Sequence, residues 1–250
     1  MGFGTDAPGG VNFTTHRKDI WQNRAAAAAW QRKVSKDWDS RVLDRMIQYG
    51  FRNLPTALYP DLPSGGDPND PAVTLTTTKH QDALGQLREN FEARKAEGFI
   101  QINRDTHADM DPLSAFVPLY RPEPRSTFYR LPCLRPSTLW VLGRKTFLSL
   151  EEMHEGIKST GNGVGGSGGL SGGKVQEIII QNHGHLFPFT AVEETGSICA
   201  AWIGSEICKF QEQEAAWNTS RKNMSKADHM TLKKKWIEVV KPLSAFKTNL

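Results

Sequence analysis

Two histidines set in a glycine-bearing turn are the residues of this chain best placed to do chemistry. The stretch Gln181-Asn182-His183-Gly184-His185-Leu186-Phe187-Pro188 directly follows an apolar run, residues 176–180. A histidine in the loop after a strand can serve as a general base. Its imidazole must reach a hydroxyl at the strand's carboxyl edge, which requires a tight turn with little bulk before it. His185 fits that requirement better than His183, because Gly184 immediately precedes it. The competing reading is that both histidines make local hydrogen bonds in a loop. The residues alone leave the two open.

A second candidate lies at residues 161–174, GNGVGGSGGLSGGK. Gly165 to Gly169 satisfies the G-x-S-x-G pattern of a nucleophilic serine, and Gly168 to Lys174 satisfies all but the last position of a phosphate-binding P-loop. Neither has its context. A nucleophile elbow needs a buried strand before the serine and a helix directly after it. Here TGNGV precedes Gly165 and LSGGK follows Gly169. A P-loop needs Ser or Thr after its lysine and then a helix; Val175 stands there, and a strand is expected next. Ser167 is therefore expected to belong to a flexible surface loop rather than to act as a nucleophile.

Other constellations are weaker. Asp105-x-His107-x-Asp109-x-Asp111 alternates hard-cation ligands but lacks the glycine and distal glutamate of a calcium loop, and these types also suit turns and caps. His183 and His185 would need two more ligands to hold zinc, and nothing near supplies them. No metal and no cofactor are expected. Phe13, Trp21, Trp30, Trp38 and Phe51 could line an apolar substrate pocket, though such residues more often form core.

Behind these residues stands an ordinary globular composition. The 250 residues are 23% charged and 38% apolar, enough for one large domain or two small ones. The net charge of +4 comes from interleaved signs, which does not call for a nucleic-acid partner. Lys233-Lys234-Lys235 reads as a solvated face of a late helix. Cys133, Cys199 and Cys208 are an odd set that makes no disulfide framework and points to a reducing compartment. No window holds the roughly 18 apolar residues of a membrane span, and MGFGTDAPGG resembles neither a signal peptide nor a myristoylation site. A soluble cytoplasmic protein is expected. Peroxisomal targeting is the alternative, although Thr248-Asn249-Leu250 shares only its leucine with the peroxisomal tripeptide.

The elements that must position the histidines divide the chain. Residues 23–34 hold five alanines and predict a helix. A second is predicted from an Asp39 cap to Gly50, with Val42, Leu43, Met46 and Ile47 on one face. Residues 54–71 are loop, and a third helix is predicted over 79–97, with Leu84, Leu87 and Phe91 inward and Gly98 as its stop. No long alternation marks a strand in this half. STLWVLG (137–143) and QEIII (176–180) read as buried parallel strands. Glu151 and Glu152 suit a helix N-terminus. Thr190-Ala-Val-Glu193 matches a capping box opening a helix with Ile198, Ala201, Trp202 and Ile203. Two strands cannot form a stable sheet alone, and no parallel neighbours are visible in the first 130 residues.

LRPSTLWVLG, TGNGVGGSGGL and NHGHLFPF followed by AVEETGSICAAWI resemble the C-terminal half of fungal α/β-hydrolases of the toxin-biosynthesis and peroxisomal-lipase-like group. DMDPLSAFVPLYRPEP is similar to that family's lid. The resemblance implies an α/β fold seen in part: a helical lid over 1–128, then the last two parallel strands and C-terminal helices of the core over 129–250. It implies hydrolysis of an ester or thioester of a small hydrophobic acyl compound in fungal secondary metabolism, with His185 as general base. Family members carry their nucleophile elbow and most of their sheet before the lid, so a truncated gene model or a degenerate paralogue is expected. Nucleophile and oxyanion hole have no counterpart here. No acid is assigned, because Arg144 to Ser149 contains no carboxylate. This chain by itself is expected to be inactive, and a non-enzymatic interaction protein using the helical half is the alternative. Oligomeric state is not readable.

Overall fold

The computed structural model describes residues 9–61, 67–91, 102–115 and 117–240. The chain forms two compact units, residues 1–195 and 196–250. In the first unit, α1 (Gly9–His16) leads into β1 (Ile20–Trp21). Helix α2 (Arg24–Val34) is opened by Asn23, whose side chain accepts from the Ala26 N–H at 2.8 Å. Helix α3 (Ser40–Tyr49) begins at its expected Asp39 cap and stops at Gly50, burying Leu43. Strands β2 (Phe51–Asn53) and β3 (Val73–Leu75) then pair antiparallel with β1 in the order β1-β3-β2.

Trp21, Ala27, Phe51, Val73 and Leu75 are buried together, with Trp30 packed against them. Trp21 lies 5.0 Å from the Trp30 ring and 5.2 Å from Phe51. Burying each large apolar side chain contributes roughly 1.5–3 kcal/mol. Three of the five aromatic residues considered for a pocket are therefore core. Phe13 instead stands 58% exposed.

The third predicted helix is shorter than its pattern. Helix α4 (Lys79–Gln86) carries a full Thr78–Gln81 capping box, but Leu87 is extended. Strand β4 (Arg88–Glu89) follows and pairs antiparallel with β5 (Leu119–Tyr120). Buried Asn90 anchors the ribbon, its N–H donating to the Pro118 carbonyl at 2.8 Å and its amide to those of Ala115 and Val117 at 3.1 Å, while Arg88 adds half-exposed pairs to Asp109 and Glu123 at 2.6 Å each. Leu87 is buried as expected, whereas Leu84 and Phe91 are 66% and 58% exposed. The rest of the prediction, residues 92–97 and the stop at Gly98, lies outside the described residues.

Helix α5 (Glu123–Arg130) precedes β6 (Thr138–Gly143), α6 (Leu150–Ser159) and β7 (Val175–Ile180). The two strands expected from their apolar runs do pair in parallel, from Thr138↔Val175 to Gly143↔Ile180. Leu142, Ile157 and Val175 make the core between this sheet and α6. Ser149 accepts from the Glu152 N–H at 3.3 Å, so Glu151 and Glu152 occupy the first turn. His154 on α6 meets Glu177 on β7 at 2.8 Å, a further tie between helix and strand.

The glycine-rich segment is a folded loop rather than a flexible one. Gly161, Gly163 and Ser167 donate to the carbonyls of Leu131, Pro132 and Leu134 at 2.8, 2.8 and 3.0 Å. Gly161, Gly165, Gly168, Gly169 and Gly173 have positive φ, which only glycine adopts at little cost.

A short α7 (Phe187–Thr190) is followed by α8 (Val192–Lys222). The capping box read at Thr190 does not form: Thr190 ends α7, and its hydroxyl lies 2.8 Å from His183 Nδ1. The second unit contains α8 from residue 196 onward and α9 (Lys234–Val239). No described residue of it is buried. No helix among the described residues is long and apolar enough to cross a membrane. Thr248-Asn249-Leu250 lies outside the described residues.

Candidate functional site

Because β6 and β7 run parallel and in register, their carboxyl ends finish level. The chain after β7 then folds across the end of β6. Arg144 N–H donates to the Ile180 carbonyl at 2.9 Å, and Lys145 N–H donates to that of His183 at 3.0 Å. A β-carbon at Gly143 would collide with the Gly184 carbonyl and stand 2.8 Å from that of His183. Glycine at 143 is thus what allows the histidine turn to lie directly on the strand end.

His185 emerges from this turn exposed. Its ring centre lies 4.9 Å from that of Phe147 at 55°, and its Nδ1 is 3.4 Å from Thr146 Oγ1. Thr146 is itself fixed: its N–H donates to the Gly143 carbonyl at 3.1 Å, and its hydroxyl accepts from Leu148 N–H at 3.2 Å. The imidazole is held on one edge by a ring and a hydroxyl. Nε2 is the nitrogen left to meet a substrate or nucleophile. His183 is half-buried and spent on Thr190, so the two histidines have different surroundings.

A second layer was not read from the sequence. Asp39 N–H donates to the Phe189 carbonyl at 2.8 Å, and the Trp38 ring packs 4.7 Å from Phe189. Arg41 grips Asp39 through Nε and Nη2 at 2.9 and 2.8 Å, and its Nη1 approaches Glu193 at 3.5 Å. The guanidinium holds the Asp39 carboxyl down at about 2, chiefly through this side-chain bond. The α2–α3 joint therefore braces the segment that carries the histidines. The only sequence signal was the Asp39 cap, which carries no information about Phe189.

The other candidates are not brought here. Ser167 Oγ accepts from Gly169 N–H at 3.4 Å within its own loop, and among the described residues no hydrogen bond joins it to either histidine. Val175 after Lys174 opens β7, so no helix follows the P-loop pattern. Asp109 is spent on Arg88, Asp111 on Leu113 N–H and Arg125, and His107 on the Glu89 carbonyl. Among the described residues no three His, Cys, Asp or Glu side chains converge as metal ligands. No carboxylate hydrogen-bonds His185 among them; Thr146 occupies that side.

No family model matches the sequence. The chain is 48% identical, over 97% of its length, to the type I acyl-CoA thioesterase mpaH of Penicillium roqueforti (strain FM164). It is 45% identical, over the same share, to the type I acyl-CoA thioesterase mpaH' of Penicillium brevicompactum. A more distant relative is the abhydrolase domain-containing protein ACTT2-2 of Alternaria alternata, 23% identical over 84% of the chain and 75% of that protein. These relatives support an α/β-hydrolase family. The aligned part is 57% of each thioesterase, so the chain spans little more than half the length of those relatives.

Proposed function

We propose that these residues serve ester or thioester hydrolysis of a hydrophobic acyl substrate in fungal secondary metabolism, with His185 as general base. Residues 1–128 act as lid, and 129–250 supply the last strands and helices of the core. The observation that supports this best is the imidazole at the carboxyl edge of a parallel strand pair, exposed on a turn that Gly143 makes possible. Similarity to acyl-CoA thioesterases points the same way and favours the thioester. The base would take a proton from a serine hydroxyl at Nε2 while Thr146 and Phe147 hold the ring's orientation. The serine of the sequence's own G-x-S-x-G is not that nucleophile, since its hydroxyl faces its own loop. The 250 residues by themselves are accordingly proposed to be inactive. The proposed place of action is the cytoplasm, or the peroxisome if the final tripeptide targets it.

The test is acyl-CoA hydrolysis by the protein isolated from its own source, beside His185→Ala and beside the 250-residue chain expressed alone. Loss of a triad member removes nearly all of the chemistry. His185→Ala is expected to lower kcat by about a thousandfold or more, and the 250-residue chain to show no turnover. Hydrolysis that survives His185→Ala would overturn the assignment.

A further inference from the structure

Opposite charges interleave along most of the chain, but not over residues 221–240. Arg221, Lys222, Lys226, Lys233, Lys234 and Lys235 stand there against two carboxylates, Asp228 and Glu238. That excess is as large as the net charge of +4 of the whole chain. Asp228 is committed within its own turn, accepting from the Ser225 hydroxyl at 2.7 Å and the Ser225 N–H at 3.0 Å. Among the described residues no carboxylate forms an ion pair with any of these five lysines.

The same segment holds large apolar side chains in water. Met230, Leu232, Trp236, Ile237, Val239 and Val240 are each more than half exposed. In α9, at 3.6 residues per turn, Trp236, Ile237 and Val239 fall on one side together with Val240 at the C-cap. Lys234, Lys235 and Glu238 fall on the other, so the helix is amphipathic. The end of α8 repeats the pairing of ring and cation: Arg221 lies 5.7 Å from the centre of the exposed Trp217 ring.

A lysine face that only meets water needs no apolar counterpart. The two together call for a partner that offers dense negative charge and apolar depth side by side, which is what an anionic lipid surface provides. Tryptophan favours the headgroup level of such a surface, and lysine stems lie along apolar matter while the ammonium reaches the phosphates. A nucleic acid would meet the cations through its phosphates but leave the apolar side in water. No helix among the described residues is long and apolar enough to cross the bilayer, so the contact is with its surface. We propose that residues 217–240 dock this chain on an anionic phospholipid membrane. The apolar side of α9 lies in the headgroup layer, and Lys233, Lys234 and Lys235 meet the lipid phosphates. The proposal uses no residue before 217 and stands apart from the hydrolase reading.

The test sediments the 250-residue chain with vesicles of phosphatidylcholine alone and of equimolar phosphatidylcholine and phosphatidylserine. Wild type is expected to bind the mixed vesicles about tenfold or more tightly than the neutral ones, a preference that shrinks as salt is added. Each lysine near such a surface is worth roughly fivefold in affinity. The triple variant Lys233→Gln, Lys234→Gln, Lys235→Gln should therefore bind mixed vesicles about a hundredfold more weakly, and Trp236→Ala about tenfold more weakly. All four side chains are exposed, so these variants alter the surface and not the packing. Equal binding of wild type to both vesicles overturns the proposal, as does affinity for mixed vesicles that the triple variant or Trp236→Ala leaves unchanged. Duplex DNA binding that needs the lysines but not Trp236, without a vesicle preference, would overturn it in favour of a nucleic acid. A dimer that Trp236→Ala dissociates, again without a vesicle preference, would overturn it in favour of a second copy of this chain.

Discussion

Asp39 shows how one side chain serves a helix and a site together. Its carboxylate caps α3, holds Arg41, and is held down at about 2, while its N–H fixes Phe189. A carboxyl whose pKa is depressed in the fold adds stability above its unfolded value and loses it as pH falls toward the folded one. For Asp39 that window runs from about 3.8 down to about 2. Thermal melts of wild type and Asp39→Asn across this range should converge as pH falls, with wild type the more stable above pH 4. Parallel curves would mean that Arg41 gives Asp39 no preference in solution. The cap itself was legible, since an Asp before an apolar-periodic run is a local signal. The grip on Phe189, 150 residues away, was not, because no local pattern encodes a contact between distant loops.

At the scale of elements, local chemistry predicted what local chemistry controls. The alanine-rich helix, the Asp39 start, the Gly50 stop and the parallel pairing of the two apolar runs all followed from short-range signals. The failures came where a distant partner outweighed the pattern. Leu84, Leu87 and Phe91 repeat at helical spacing, yet buried Asn90 is bonded to the carbonyls of Ala115, Val117 and Pro118 across a ribbon. Thr190 has the sequence of a cap, yet its hydroxyl is taken by His183. The glycine loop is the clearest case: composition suggested flexibility, whereas carbonyls 131–134 order it. At Gly161, φ is +70° and a β-carbon would stand 3.2 Å from the Leu134 carbonyl oxygen and 3.3 Å from the Gly169 nitrogen, besides displacing the rotatable Ser167 hydroxyl. A left-handed non-glycine residue costs roughly 1–2 kcal/mol before any clash. Gly161→Ala should therefore lower stability by about 2 kcal/mol or more in urea unfolding, while Gly165→Ala, with the same sign of φ but open space, should cost less. Equal effects would show that strain alone, and not the close approach of the Leu134 and Gly169 backbone, fixes glycine at 161.

Across the whole molecule, burial is unevenly shared between the two units. Among the described residues, every buried side chain lies before 196, among them Trp21, Val73, Ile157 and Ile180 at 2% exposure or less. From 196 onward Ile203, Ile207, Phe210 and Trp217 are all at least half exposed, although the helix there is continuous to Lys222. A helix with little buried apolar surface opens at low free energy, because tertiary packing supplies most helical stability. Brief trypsin treatment of the 250-residue chain should therefore cut first after Lys209, Arg221 or Lys222. Sites inside the first unit's packed elements, such as Arg32 at the end of α2 and Lys158 at the end of α6, should follow later. Mass spectrometry of the early fragments reads the order directly. In the protein from its own source, protection of Lys209 under the same conditions would mean that something covers this apolar row. Cleavage at Lys209 in both preparations would mean that the row stays in water there too.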